Sequence, residues 1–75
     1  MSPALVEARD QLQRLLDRER ERMAAFRFDL ASEAGDDRQA ASAALGLALD
    51  IARCNQQVRL YCAAIAELEW AGGLP

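Results

Sequence analysis

The segment from residue 39 to residue 71 carries one continuous apolar stripe, and this stripe constrains the fold more than any other feature of the chain. Its apolar residues recur at alternating steps of three and four, which is the spacing of one face of an α-helix. They are Ala40, Ala44, Leu47, Ile51, Cys54, Val58, Tyr61, Ile65 and Leu68. A second apolar set lies beside them: Leu45, Leu49, Ala52, Leu60, Ala63 and Ala64. Together the two sets exceed the face of about 100° that a surface helix buries in its own fold. The sequence therefore predicts a long helix with more apolar surface than one neighbouring helix covers.

A first helix is predicted to precede this segment and to begin at Ser2-Pro3. Serine caps helices well, and proline is favoured at the first helical position because its missing N–H costs nothing there. The apolar stripe of this helix again follows steps of three and four. Its members are Leu5, Ala8, Leu12, Leu15, Leu16, Glu19, Met23, Phe26 and Leu30, of which Glu19 is charged. We therefore expect the first helix to run from about residue 3 to residue 33.

The charged run 17–22 in the first helix alternates acidic and basic residues. Acid and base three or four residues apart, such as Asp10 and Arg14, stabilise a helix by a few tenths of a kcal/mol. We interpret the run as a solvated helix face. The alternative is an Arg-rich docking face for an acidic partner.

The residues between the two helices predict a tight turn. Gly35 suits the left-handed position that ends a helix, and Asp36 can cap the next helix, with Gln39 completing a capping box and Asp37 complementing the helix dipole. So short a connection makes the helices antiparallel neighbours. The predicted fold is all-α: a single domain, 1–75, formed by an antiparallel hairpin of helices at about 3–33 and 37–71. This hairpin would complete a larger helical bundle with a partner or a second copy.

The turn also sets an approximate register between the helices. We expect Phe26 near Ala44, Leu12 near Val58 and Leu5 near Ile65, with the bulky end of the first helix facing the small residues 40–46 so that the backbones approach closely.

Two features of the hairpin leave alternatives open. Glu19 and Asn55 fall at nearly the same level and form either a buried polar layer or two side chains that lean to solvent. Trp70 is either an exposed anchor at an interface or a side chain lying along its own hairpin. The second helix is predicted to end at Gly72-Gly73, where Leu74 can fold back against it.

The composition points away from catalysis and from nucleic acid. The net charge of −3 and a pI near 4.8 disfavour binding to phosphate backbones. The chain has no His, the commonest general base and metal ligand. Cys54 and Cys62 lie eight residues apart on one helix, about 12 Å, and are expected to be small core hydrophobes, with an intersubunit disulfide as the alternative. We therefore expect no enzyme, no catalytic, cofactor or metal site, and no small-molecule substrate.

The chain is also expected to be a soluble cytoplasmic protein. Its longest apolar window, 40–51, is shorter than the ~20 residues that cross a bilayer, and its first residues show no basic or apolar leader pattern. The polar side of the second helix is short of Lys and Arg, which membrane-surface helices need. We expect no membrane partner.

The order of a charged first helix (12–22), a short Gly-acid turn (34–39) and an apolar second helix resembles the small co-chaperones of the type III secretion needle. The resemblance covers about residues 5–68. It implies a two-helix hairpin that pairs with a tetratricopeptide-like chaperone and helps to keep the needle subunit soluble in the bacterial cytoplasm. No functional residue is carried over from that family.

The apolar surface left over on the second helix is where we expect binding. The predicted partner-binding residues are Leu45, Leu49, Ala52, Leu60, Ala63 and Trp70. The leading hypothesis is a non-enzymatic co-chaperone that docks these residues on a larger helical protein. The alternative is a self-associating hairpin whose two copies form a homodimeric four-helix bundle.

Overall fold

The computed structural model describes residues 1–73 as an antiparallel hairpin of two helices. Helix α1 spans Pro3–Ala31, helix α2 spans Arg38–Ala71, and residues 32–37 connect them. The hairpin measures 55 × 16 × 14 Å, and no strand occurs among residues 1–73. The all-α hairpin predicted from the two stripes is confirmed. The predicted contact of Leu74 lies outside the described residues.

Helix α1 begins as predicted and ends two residues early. The hydroxyl of Ser2 accepts a hydrogen bond from the Leu5 N–H at 3.2 Å, and Pro3 is the first helical residue. At the other end Ser32 keeps right-handed backbone angles, and both its N–H (3.0 Å) and its hydroxyl (2.8 Å) donate to the Phe28 carbonyl. This carbonyl is one of those that a helix end leaves without a partner. The serine therefore ends the helix without a left-handed residue.

Gly35 does not adopt the left-handed conformation predicted for it, because Ser32 already closes the helix. Within residues 1–73 the positive φ angle belongs to Gly73, at 75°. Glycine is instead required at position 35 because the start of α2 leaves no room for a side chain there. A Cβ atom added to it would lie 2.7 Å from the Cβ of Ala40, closer than real Cβ contacts come. A larger residue there would push the connection away from the start of α2.

The cap of α2 is Asp37, so the predicted cap at Asp36 and its capping box with Gln39 are wrong. The Asp37 carboxylate accepts a hydrogen bond from the Ala40 N–H at 2.8 Å. Because the helix begins at Arg38, one residue later than predicted, the position three residues after the cap holds Ala40, which has no side chain to complete the box.

The two helices meet along a regular seam. In α2 the seam follows the predicted stripe, with Ala40 and Cys54 buried and the other members half-buried. In α1 it follows the same alternation of three and four. Its members are Leu5, Arg9, Leu12, Leu16, Glu19, Met23, Phe26 and Leu30, all buried or half-buried. This is the repeat of a left-handed coiled coil.

The regular repeat corrects two details of the predicted α1 stripe. Leu15 is 40% exposed whereas Leu16 is 3% exposed, because only one of two consecutive residues can face the partner helix. Arg9 takes the seam position that was assigned to Ala8, although Ala8 is also half-buried beside it.

Two contacts fix the register. The side chain of Met1 lies against Gly72, and the carboxylate of Glu19 lies close enough to the thiol of Cys54 to raise its pKa. In each pair the two residue numbers add up to 73, so the helices run side by side without slipping over this length. This register agrees within one helical turn with the predicted one.

The small residues 40–46 do not all face α1 as predicted. Ala40 is buried and Ala44 half-buried, whereas the others are exposed. A Cβ atom added to Gly46 would meet nothing within 4 Å. Gly46 therefore does not bring the two backbones together, because it lies off the seam.

Candidate functional site

The side of α2 that faces away from α1 carries a second row of residues with the same spacing as the seam. We call these eight residues the outer strip: Leu45, Leu49, Ala52, Gln56, Arg59, Ala63, Ala66 and Trp70. Each lies five residues after a seam residue, which rotates it by roughly 150° around a coiled-coil helix and so to the far side. All eight are exposed.

The large apolar side chains of this surface lie open to solvent. Leu45 is 63% exposed, Leu49 48%, Leu60 60% and Trp70 80%. Leu60 flanks the outer strip, one position after Arg59. Because Trp70 is so exposed, it does not lie along its own hairpin, and the alternative of an exposed tryptophan holds. Exposed aromatic and leucine side chains gathered on one helix face are typical of a surface that another protein covers.

The predicted binding residues thus share one surface of the structure. Five of the six belong to the outer strip and Leu60 borders it. Sequence reasoning missed Ala66, and it overlooked Gln56 and Arg59, which interrupt the apolar row at its centre. The signal that identifies them is the repeat itself, because the alternation of three and four continues through polar positions.

The polar side chains at and beside the centre of the outer strip differ in their partners. Arg53, on its flank, is bound to the Asp50 carboxylate at 3.0 Å, and Gln57 donates to the hydroxyl of Tyr61 at 3.3 Å. Within residues 1–73, Gln56 and Arg59 make neither a hydrogen bond nor an ion pair. Their donors and acceptors are therefore open to a partner.

The hairpin exposes more surface than its mass requires. Its accessible surface is 5565 Å², whereas a compact monomer of 8.2 kDa exposes about 4500 Å². Only Leu16, Met23, Ala40 and Cys54 are buried among the described residues. An excess of about 1000 Å² and so small a core favour a protein that is stabilised by association.

The two cysteines occupy different environments. Cys54 is 3% exposed and packs in the seam as predicted, whereas Cys62 is exposed and its prediction as a core residue is wrong. Cys62 lies one residue past Tyr61 and so turns out of the seam. Burial, and then the neighbouring Glu19 side chain, raise the pKa of the Cys54 thiol above its ordinary value of 9.0. Cys54 is therefore a neutral packing residue near pH 7.

Glu19 and Asn55 do not form a layer sealed from water. Both are half-buried, and within residues 1–73 no polar or charged residue is fully buried. The Glu19 carboxylate lies near the thiol of Cys54 and contributes to the rise of its pKa. This proximity favours the observed register, since a polar group in a coiled-coil seam is best satisfied when its partner is opposite.

The outward side of α1 is a mixed-charge surface. Asp17 accepts a hydrogen bond from the Gln13 amide at 3.0 Å, and Asp10 lies 4.0 Å from Arg9 rather than forming the predicted pair with Arg14. The run 17–22 exposes side chains of both signs, while Glu19 lies at the seam. An aromatic residue, Phe28, is 72% exposed on this helix.

A shallow, open depression lies at the turn. Its lining residues are Glu33, Gly35, Asp37, Gln39, Ala40 and Ala43. Of its two carboxylates, that of Asp37 caps α2 and that of Glu33 accepts a 3.4 Å hydrogen bond from the Gly35 N–H. These groups are engaged in shaping the turn, so the outer strip remains the candidate site.

Comparison with known proteins leaves the outer strip to be interpreted on its own geometry. The chain matches no protein family, no curated protein and no solved structure. Neither helix, over residues 1–73, has the length and apolarity needed to cross a bilayer.

Proposed function

We propose that this protein is a non-enzymatic binding module whose outer strip docks on a helical partner. The observation that carries the proposal is the exposure of Leu45, Leu49, Leu60 and Trp70 on one face of a helix whose opposite face already packs on α1. A helix with a regular apolar row fits the groove between helices of another protein, where its large residues act as anchors.

The spacing of the outer strip defines the kind of partner. Rows at alternating steps of three and four pack by inserting side chains between those of a neighbouring helix. The partner is therefore a helix or a helical groove with apolar residues at matching spacing. The outer strip is about 38 Å long from Leu45 to Trp70, since a helix rises 1.5 Å per residue. A partner must offer several consecutive turns.

We further propose that the biological role is that of a small co-chaperone in the bacterial cytoplasm. The support is the layout that resembles the co-chaperones of the type III secretion needle: a charged first helix, a short Gly-acid turn and an apolar second helix. In this role the outer strip binds a larger helical chaperone, which the resemblance implies is tetratricopeptide-like, and the complex keeps a needle subunit soluble.

The proposal is tested by affinity purification with three baits: the natural chain, Leu49→Glu, and the control Phe28→Glu on α1. The control matches the first variant because both place a carboxylate on an exposed apolar position, on different helices. We expect a helical chaperone to be retained by the natural chain and by Phe28→Glu, and to be lost with Leu49→Glu. The binding is then reconstituted from purified components. Equal retention by all three baits would refute the role of the outer strip.

A further inference from the structure

We propose that in the free protein a second copy covers the outer strip, with the two α2 helices antiparallel and Gln56 of each copy opposite Arg59 of the other. This inference rests on the proposed use of the outer strip as a docking surface. It adds the occupant, the direction and the register.

When the outer strips of two copies lie antiparallel against each other, each residue of one strip faces one residue of the other, and each such pair forms a layer. There are four different pairs, and the two-fold axis of the dimer repeats each of them once. They are Leu45 with Trp70, Leu49 with Ala66, Ala52 with Ala63, and Gln56 with Arg59, the second residue of each pair coming from the other copy. The two residue numbers in every layer add up to 115. Because antiparallel coiled coils pair alternate positions of the repeat, all eight residues find a counterpart in this one register.

The polar pair at the centre selects this register over others. The guanidinium of Arg59 donates hydrogen bonds, and the side-chain carbonyl of Gln56 accepts them. Sliding one copy by seven residues in one direction places Arg59 against Leu49, and in the other direction against Ala63. Parallel helices would place Arg59 against Arg59. Each of these alternatives leaves a charge without a partner or opposes two like charges, which is unfavourable in a partly desolvated interface.

The sizes of the side chains are also complementary. Ala52 and Ala63 flank the polar centre, so the two helices can approach closely there. Leu45, Leu49 and Trp70 fill the ends. The two Leu60 side chains fall on the same side of the pair, about 7.5 Å apart along the axis at 1.5 Å per residue, and can cover the central layers from solvent.

The outer strip offers large exposed side chains along most of α2. Stable interfaces bury about 1200 Å² or more in total, which is about 600 Å² from each copy. The strip extends about 38 Å at 1.5 Å per residue, and Leu45, Leu49 and Trp70 on it and Leu60 beside it are exposed. These side chains can therefore enter the contact without rearrangement of the hairpin.

The geometry also defines the shape of the assembly. Because the outer strip lies opposite the seam, the two α2 helices would form the centre, with one α1 helix outside each of them. This arrangement differs from a four-helix bundle around one shared core. A helical partner that binds the same strip must displace the second copy.

The first test is the mass of the protein in solution at low micromolar concentration, measured by sedimentation equilibrium. We expect a dimer for the natural chain and for Phe28→Glu. Leu49→Glu should weaken association on the order of 100-fold or more, because the dimer contains the layer of residue 49 twice and the substitution places a carboxylate in both. Far-ultraviolet circular dichroism checks that each variant keeps its helices. A monomeric natural chain, or a dimer that Leu49→Glu leaves intact, would overturn the proposal.

The second test addresses direction and register. Gln56→Glu creates two carboxylate-guanidinium pairs in the antiparallel register and should tighten the dimer about threefold to tenfold, an effect that high salt removes. In a parallel dimer the same substitution opposes two carboxylates and weakens association. Weakening by Gln56→Glu would therefore overturn the antiparallel register.

A distance measurement gives an independent readout. A spin label on Gln39→Cys, in a Cys62→Ser background, lies outside the outer strip. The two labels should be about 55 Å apart in the antiparallel register, since 37 residues at 1.5 Å separate them along the axis. A separation on the order of 10 to 20 Å would show parallel helices and overturn the proposal.

The outcomes separate this inference from the proposed function. A monomer that still binds a purified helical chaperone through Leu49 would refute the dimer and leave the binding function standing. A dimer with the expected register that binds no chaperone would support the dimer and refute the co-chaperone role.

Discussion

Substituting alanine for glycine at two positions should change stability in opposite directions. Gly46 lies inside α2, and a Cβ atom added there would meet nothing within 4 Å. Alanine is favoured over glycine inside a helix by about 1 kcal/mol, so Gly46→Ala should stabilise the hairpin by about that amount. At Gly35 the added Cβ would lie 2.7 Å from the Cβ of Ala40, a side chain with no freedom to turn away. Overpacking of this kind costs about 1 to 3 kcal/mol, more than the 0.4 to 1 kcal/mol gained from a stiffer unfolded chain.

Thermal and urea unfolding, followed by circular dichroism at one fixed protein concentration, measure both effects. For a domain of this size 1 kcal/mol corresponds to about 4–8 °C in Tm. The control is Ala48→Gly, an exposed position in the same helix, which should destabilise by about 1 kcal/mol. A loss of stability in Gly46→Ala would show that another surface covers this position. An unchanged Gly35→Ala would show that the connection relaxes freely, and would refute the steric account of the turn.

Three further predictions test the seam, the cap and the buried thiol. Leu16→Ala should lower the free energy of unfolding, measured in urea, by about 2 to 5 kcal/mol. Leu15→Ala, at the exposed neighbouring position, should change it by less than about 1 kcal/mol. Equal effects of the two substitutions would contradict the assignment of Leu16 to the seam. Asp37→Ala should cost about 1 kcal/mol in thermal unfolding and Asp36→Ala less than about 0.5 kcal/mol, and the reverse order would place the cap at Asp36. Because folding raises the pKa of the Cys54 thiol, the unfolded chain loses the thiol proton at a lower pH than the folded hairpin does. The stabilisation that the buried neutral thiol provides is therefore complete below about pH 9 and falls as the pH rises above that value. Cys54→Ala should remove this alkaline decline in urea unfolding, and a decline that persists would assign it to other groups.

The sequence was sufficient to predict the hairpin because regularly repeated apolar positions determine which faces of the two helices pack together. Steps of three and four along α2 determine which residues face α1, and they survive in the structure without exception. The antiparallel arrangement follows from the short connection. The surface left over on α2 could be located for the same reason, since it obeys the same repeat.

The ends of the helices were harder to predict because several residues compete for each role. Asp36 and Asp37 are both good caps, and one residue of difference in the helix start decides between them. Gly35 appeared suited to a left-handed turn, but the hydroxyl of Ser32 satisfies the same carbonyl without one. Composition gives no information on such a choice, which depends on the path of the chain through the turn.

Two of the three residues of the outer strip that sequence reasoning missed, Gln56 and Arg59, break the apolar pattern. Gln56 and Arg59 look like ordinary surface residues when hydrophobicity alone is followed. Their position between apolar residues with regular spacing becomes apparent only when the repeat is continued around the helix. They are the residues that assign a direction to the proposed dimer.

Fluorescence of Trp70, the single tryptophan of the chain, tests the use of the outer strip as a docking surface most directly. This side chain is 80% exposed in the hairpin. The proposed docking predicts that its emission lies at shorter wavelength in the natural chain at micromolar concentration than in Leu49→Glu, and that dilution shifts the natural chain toward the variant. Identical emission from the two proteins at every concentration, with a helical chaperone added or absent, would contradict the docking surface.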